Sequence, residues 1–315
     1  MRKNETLGVF LISILAWVAT FWLALRIGVA HDVTPEILYG LRLPRAILAT
    51  AIGMGLAVGG AGLQALFTNP LCEPYTLGIS SGAALGAVIG LSLGVDGIFG
   101  GIAGPAFLGA LLVTAILYLI ALRPDTSSST LLLTGIMLGF LGTSLVSLWL
   151  SLSSSTGLQG ALAWLFGDLS RARFKGAVFL LAVVSFLSWM IWTHWRALDA
   201  FLMGEESAQA LGVDVAQNRR KIILLISLLI GFCVGAGGMI GFVGLVVPHF
   251  CRRMVGALHI RLLPLSAIWG ATLLVVADWL SRVLASPYEL PVGIVTALVG
   301  APLFLWMMLR RGEQR

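Results

Sequence analysis

The sequence predicts an all-α, polytopic membrane protein of about ten transmembrane helices, one of them short or broken. Three observations predict it. The 315 residues are 58% hydrophobic and only 11% charged, whereas soluble domains carry about 25% charge. Apolar windows of membrane length recur along the whole chain. Thirty residues without a charge separate Arg219-Arg220-Lys221 from Arg252-Arg253. Basic clusters favour the cytoplasmic face, so two of them flanking one apolar stretch imply a chain that enters and returns. Thirty residues are too few for two spans of about 20 each. Glycines at 231, 235, 237, 238, 241 and 244, with Pro248, therefore mark one full helix and one short helix joined by a glycine-rich break. Breaks of this kind survive at membrane depth only where protein buries them or water reaches them, and they typify transporters.

The windows fall at about 7–29, 46–67, 77–95, 102–122, 130–150, 174–195, 221–239, 242–255, 262–281 and 291–309. The first, Leu7 to Val29, exceeds a signal-peptide core of about 7–15 residues and no clear small-residue cleavage site follows it, so it counts as a span. The second carries Gly55 and Gly59. The third has glycine at 78, 82, 86, 90 and 94, which makes one helix face nearly flat and lets a neighbouring backbone approach. The Ser127–Thr130 run caps the fifth. Between the sixth and seventh lies the longest polar loop, about 196–221. A helix starts in it near Gly204, with Glu205 and Glu206 at the positive end of its dipole, and Gly212 stops it. Ala208 and Leu211, with Leu202 and Val213, form a small apolar patch that needs a partner to cover it. The eighth window is the short helix. No polar segment reaches soluble-domain length, so residues 1–315 read as a single transmembrane domain. With the N-terminus inside, thirteen Lys and Arg fall on the inner side and seven on the outer. An even span count returns the C-terminus to the same side.

Several function classes drop out. The net charge of +6 comes from basic caps on loops, with no basic stripe interleaved with aromatics, so nucleic acid is not a partner. Cys72, Cys233 and Cys251 are odd in number and scattered, which excludes a disulfide framework and a zinc site. No cofactor or metal site is read from the chain. Its three lysines, Lys3, Lys175 and Lys221, lie in no phosphate-binding loop, so any nucleotide must be hydrolysed by another chain. Gly78-Ile79-Ser80-Ser81-Gly82 fits the serine-hydrolase elbow pattern, but packing already explains its glycines. Asp278 is a nearly intramembrane acid and a functional candidate by default; Arg282, one turn on, neutralises it.

Blocks spread over nearly the whole chain then carry a resemblance. They are Arg42-Leu43-Pro44-Arg45, Gln64 through Asn69-Pro70-Leu71, Pro74, Leu77-Gly78, Gly204-Glu205 through Ala208, and Leu211-Gly212-Val213. Gly241 to His249, Leu262-Leu263-Pro264, Ala277-Asp278 with Arg282, Glu289 to Gly293, and Gly300-Ala301-Pro302 complete the series. In this order they resemble the permease subunits of bacterial type II ATP-binding-cassette importers for iron-siderophores, haem and cobalamin. The resemblance implies a ten-span subunit of the inner membrane that pairs with a second permease, either a copy of itself or a paralogue. It implies two cytoplasmic ATPases beneath, a periplasmic binding protein above, and no enzymatic activity in this chain. It places Arg42, Arg45 and Arg282 at the binding-protein docking face, Arg282 being equally suited to pair with Asp278. Gly204, Glu205, Ala208, Leu211, Gly212 and Val213 take the helix that couples to the ATPase. Asn69, Leu71, Ser128 and Ser129 match a cytoplasmic gate, alongside their roles as a turn and a helix cap. Trp164 and Asp168 match the pathway entrance, with Trp164 and Phe166 also suited to anchor at the lipid interface. The implied cargo is an iron(III)-siderophore complex, with haem or cobalamin second. An ion-coupled secondary carrier is the rival class.

Overall fold

The computed structural model describes residues 3–28, 34–94, 102–123, 126–153, 162, 164–286 and 288–312, and every regular element among them is helical. Ten helices coincide with the ten apolar windows. They are α1 (Lys3–Arg26), α2 (Leu43–Leu66), α3 (Ile79–Ser92), α4 (Ala103–Ala121), α5 (Ser128–Leu152) and α6 (Phe174–Thr193), then α9 (Val215–Gly237), α10 (Val243–Val255), α11 (His259–Val283) and α12 (Val292–Gly312). Two short helices, α7 (Trp195–Phe201) and α8 (Glu205–Ala210), occupy the long polar loop. Seven of the ten are long and apolar enough to cross a membrane; α3 and α12 give shorter apolar stretches, and α10 has only 13 residues. The predicted short eighth helix is therefore present. A helical lead-in, Pro35–Ile37 followed by a π-turn at Leu38–Arg42, feeds α2.

The axis of the bundle is α2. Nearly all of its residues are buried, and it packs against α11, α6, α9 and α10. Small residues make this possible. A Cβ added at Gly53 would stand 2.2 Å from the Gly270 carbonyl oxygen of α11. One added at Gly60 would stand 2.0 Å from that of Gly244 in α10. Close approach of this kind holds helices together where lipid is as apolar as the side chains. The middle of the expected glycine face is present: Gly82, Gly86 and Gly90 lie against Gly109 and Pro105 of α4. Gly78 instead precedes α3 with a φ of 70° and packs on Gly135 and Gly139 of α5, and Gly94 lies past the helix end with a φ of 62°.

Between α9 and α10 the chain breaks at Gly238, and Phe242 takes a left-handed φ of 68° to start α10. Its backbone polar groups find protein partners. The Phe242 N–H donates to Glu73 Oε2 at 3.3 Å, and the Asp168 N–H donates to the Gly237 carbonyl at 3.1 Å. Gln64, buried in α2, donates to the Gly244 carbonyl at 3.1 Å and accepts from Arg252 at 2.5 Å. One side chain thus ties both ends of the short helix to the axis. Satisfied backbone is what allows a broken helix at membrane depth.

The termini of the helices sort into two ends. One end gathers the start of α5, the end of α2, α7, α8 and the start of α9. The other gathers the end of α1, the start of α2 and the end of α11.

Gly53→Ala and Gly60→Ala each force backbone against backbone, and each is expected to cost about 1–3 kcal/mol or more. The midpoint of thermal aggregation in detergent should fall for both. Gly8→Ala, which points into open space, should leave it unchanged.

Candidate functional site

At the end where α2 begins, five charged side chains converge. Arg42 donates from Nη1 to the carbonyl oxygens of Leu25 and Arg26, each at 3.0 Å, and so closes the last turn of α1. Arg45 spans two carboxylates, with its Nε 2.6 Å from Asp278 and its Nη1 2.6 Å from Glu289. Arg282 reaches Asp278 at 3.3 Å and the Ala24 carbonyl at 3.4 Å. All three arginines and Asp278 are buried, while the Glu289 side chain is 52% exposed. The pairing of Asp278 with Arg282 read from their spacing is present. The bridge from Arg45 to Asp278, across 233 positions, was not legible in the sequence. The three arginines placed at the docking face already have partners within this chain.

At the opposite end, α8 is flanked by Gly204 and Gly212, whose φ values of 93° and 80° favour glycine and whose missing side chains face open space. Ala208 points inward and is fully buried, and Val213 and Leu202 pack against the core. The apolar tip therefore differs from the one expected. Met203 and Leu211 form it, at 65% and 64% exposure, because a six-residue helix turns Ala208 toward α7 and α9. Glu205 leaves the loop and meets Ser128, whose hydroxyl donates to it at 2.6 Å. It also pairs with Arg219 of α9. The proposed gate thus touches the proposed coupling helix. Ser127 accepts from the Thr130 N–H at 3.1 Å, capping α5 as expected, and Ser129 is exposed beside it. Asn69 Oδ1 accepts from the Leu71 N–H at 2.9 Å in a tight turn that leaves Leu71 exposed. Arg219 was missed because its basic cluster already had an explanation in membrane topology.

Beside the α9–α10 break lies an open cavity of about 440 Å³. Phe166 and Met239 line its wall on the side of the α9–α10 break, Ile294 and Leu298 line it from α12, and Glu73 and Tyr75 line it from the segment after the Asn69–Leu71 turn. The lining is mostly apolar. Trp164 is buried, with its carbonyl packed on Gly238, so Phe166 rather than Trp164 faces the cavity. Asp168 caps a turn by accepting from the Ser170 N–H at 2.7 Å and pairs with Arg171 at 3.5 Å. Glu73 was not foreseen; its only signal was an acid in a turn between two apolar windows. Ser80, the candidate nucleophile, is buried, and among the described residues its hydroxyl has no hydrogen-bond partner that could serve as a base.

Comparison with known proteins places this geometry. The profile of the FecCD transport family matches residues 6–310. The vitamin B12 import system permease of Vibrio cholerae is 40% identical over 280 residues, covering 88% of this chain and 84% of the relative. The hemin transport system permease of Yersinia pestis is 38% identical over 290 residues, covering 90% and 86%. A solved inward-facing ABC transporter assigned to the metal-chelate type superposes with a TM-score of 0.88 at 32% identity, covering 96% of this chain and 99% of that one.

Asp278→Asn strips Arg45 and Arg282 of their shared buried partner. The expected loss is about 3–5 kcal/mol, the cost of leaving a buried charge uncompensated. It should read out as a large drop in thermal midpoint and in yield from the membrane. Glu289→Gln, at a half-exposed position, should cost less than about 1 kcal/mol.

Proposed function

Because the chain belongs to the FecCD transport family, we propose that it carries a bulky metal chelate across the bacterial inner membrane. The chain is a multi-pass membrane protein and the permease of an ATP-binding-cassette importer, and it is not itself an enzyme. The observation that supports a bulky cargo is the open, mostly apolar cavity of about 440 Å³ lined by Phe166, Met239, Leu298 and, on one side, Glu73 and Tyr75. An apolar wall with few polar groups lets a large ligand pass without holding it, and a conduit must release what it carries.

Among metal chelates, the family resemblance puts iron(III)-siderophore complexes first. Cobalamin and haem form the second reading, favoured by the relatives named as vitamin B12 and hemin permeases. Two copies of this chain, or one copy and a paralogue, enclose the pathway in the working assembly. Two ATPases engage the end bearing α8, whose exposed Met203 and Leu211 suit a covering partner. That end faces the cytoplasm and both termini lie there, as the excess of basic residues on that side supports.

A periplasmic binding protein docks at the other end, and its acidic lobes meet the cluster of Arg42, Arg45 and Arg282. Three guanidinium groups against the two carboxylates of Asp278 and Glu289 leave one positive charge in excess, which steers an acidic partner. Glu289, the exposed member, is the residue a partner's carboxylate would displace from Arg45.

Proteoliposomes holding the assembled importer should accumulate cargo when supplied with ATP and continue after the proton gradient is collapsed. Uptake that follows the gradient and ignores ATP would return the ion-coupled carrier. Cobalamin, haem and an iron(III)-hydroxamate offered in parallel identify the cargo by which one accumulates. Glu289→Gln should tighten binding-protein docking at low salt, measured by surface plasmon resonance, and the gain should shrink as salt rises. Unchanged affinity would remove the rim from the docking face.

A further inference from the structure

A single carboxylate joins the exposed helix α8 to the start of a membrane span. Glu205 Oε1 accepts the Ser128 hydroxyl at 2.6 Å, lies 3.4 Å from the Ser128 N–H, and pairs with Arg219. Arg219 in turn donates from Nη1 to the Thr126 carbonyl at 2.6 Å. The Ser128 hydroxyl also lies 3.3 Å from the carbonyl of Leu66, the last residue of α2. Four segments therefore meet at this point: α8, the start of α5, the end of α2, and the start of α9.

The rest of α8 is loosely held. Glu206, Ser207, Gln209, Ala210, Leu211 and Gly212 are exposed, and only Ala208 is buried. Glycines with positive φ flank the helix on both sides. A short helix hinged at both ends and anchored through few side chains moves as a unit when its exposed face is pushed. What moves with it is decided by what its anchors grip. Ala208 offers only a methyl contact. Glu205 offers charge-assisted hydrogen bonds, which are directional and roughly twice as strong as neutral ones. Its partner Arg219 is buried, so their attraction is screened less than that of a surface pair. Burial pushes the Glu205 carboxyl up, but the Ser128 hydroxyl and Arg219 together hold it below the usual carboxylate range.

We propose that Glu205, clamped by Ser128 and Arg219, is the latch through which displacement of α8 moves the start of α5. It is a positioning residue for transport, and the proposal rests on the reading above that α8 meets the ATPase. Ser128 is the first residue of α5, which runs 25 residues to Leu152 at the far end of the bundle. A pull on Ser128 is thus applied to a whole rigid span. Arg219 keeps the carboxylate from swinging free by fixing it to α9 and to the Thr126 carbonyl.

The test uses the assembled importer, with its ATPases and binding protein, in proteoliposomes. In Glu205→Ala importer purified with its ATPases bound, the ATP consumed per cargo molecule delivered should rise several-fold. Glu205→Gln keeps the Ser128 bond but loses the charge pair, and should fall between Ala and wild type. Glu205→Arg combined with Arg219→Glu restores the ion pair with its charges exchanged and should recover part of the coupling lost in either single variant. A second measurement avoids dependence on folding of those variants. Ser128→Cys with Glu205→Cys can be bridged by a short bis-methanethiosulfonate reagent, since Cys72, Cys233 and Cys251 are all buried. Unbridged, the double variant should be uncoupled like Glu205→Ala; the bridge should bring the ATP-to-cargo ratio back toward wild type, and reductant should undo that recovery. A wild-type ratio of ATP to cargo in Glu205→Ala, or a bridge that leaves the double-cysteine importer uncoupled, overturns the latch. Leu211→Asp checks the reading beneath it. If that change leaves co-purification of the ATPase untouched, α8 is not the ATPase contact and the latch falls with it; if association drops while Glu205→Ala stays coupled, the latch alone is wrong.

Discussion

The fold depends on how closely other helices can approach α2. Inside lipid, apolar side chains gain nothing by leaving their surroundings, so helices stay together through dense packing and a few polar contacts. The axis helix meets α11 at Gly53 and Gly270, and meets α10 at Gly60 and Gly244, with carbonyl oxygens standing where a Cβ would be. Side chains at these points would push two neighbours outward at once. The short helix α10 would then lose Gln64, which holds it at Gly244 and at Arg252. The break before α10 would lose its seat as well, because the Phe242 N–H and the Gly237 carbonyl are satisfied only while the segments around Glu73 and Asp168 stay close. The cavity wall is made from these same segments, so its shape follows from the approach of backbones at two glycine pairs.

At the start of α2 the buried charges answer one another. Arg45 and Arg282 enclose Asp278, and Arg45 extends to Glu289. An isolated buried ion of either sign would be costly, whereas a network with hydrogen bonds to spare is tolerable. Its value is directional rather than energetic. It fixes α2 against α11 at one end and, through the carbonyls of Ala24, Leu25 and Arg26, holds the last turn of α1. Both carboxylate oxygens of Asp278 are engaged by guanidinium groups, one by Arg45 and one by Arg282. An acid tied in this way is a brace between helices, which removes the main residue that suggested ion coupling.

Ten helices were legible because membrane thickness sets their length and lipid sets their composition, and both leave a mark at every position. The short α10 was legible for the same reason: thirty uncharged residues cannot hold two full spans. The caps and turns at Ser127, Asn69 and Gly212 were legible because their chemistry is local. What could not be read is pairing over distance. Arg45 meets Asp278 across 233 positions, and Glu205 meets Ser128 across 77. The inward turn of Ala208 was misread as a surface patch, since six residues give too short a period to tell one face from another. Arg219 carried a misleading signal, because the rule that places basic residues at the cytoplasmic face accounts for it without a partner. Glu73 was passed over because an acid beside prolines in a turn attracts no notice until the turn is seen to line a cavity.

A wall that grips nothing cannot set the direction of movement. The cavity presents mainly apolar groups with Glu73 and Tyr75 at one side, so under the proposed function it offers cargo few preferred positions. On that same reading, direction then comes from the two ends opening in turn, which requires that each end report to the other. The helices supply that link. The start of α2 carries the arginine network and its end lies within 3.3 Å of Ser128, so the same rigid element touches both clusters. Packed interfaces switch between discrete arrangements rather than deforming smoothly. The partners around Glu205 and those around Arg45 are thus joined by one continuous helix, the element through which a rearrangement at one end would have to reach the other.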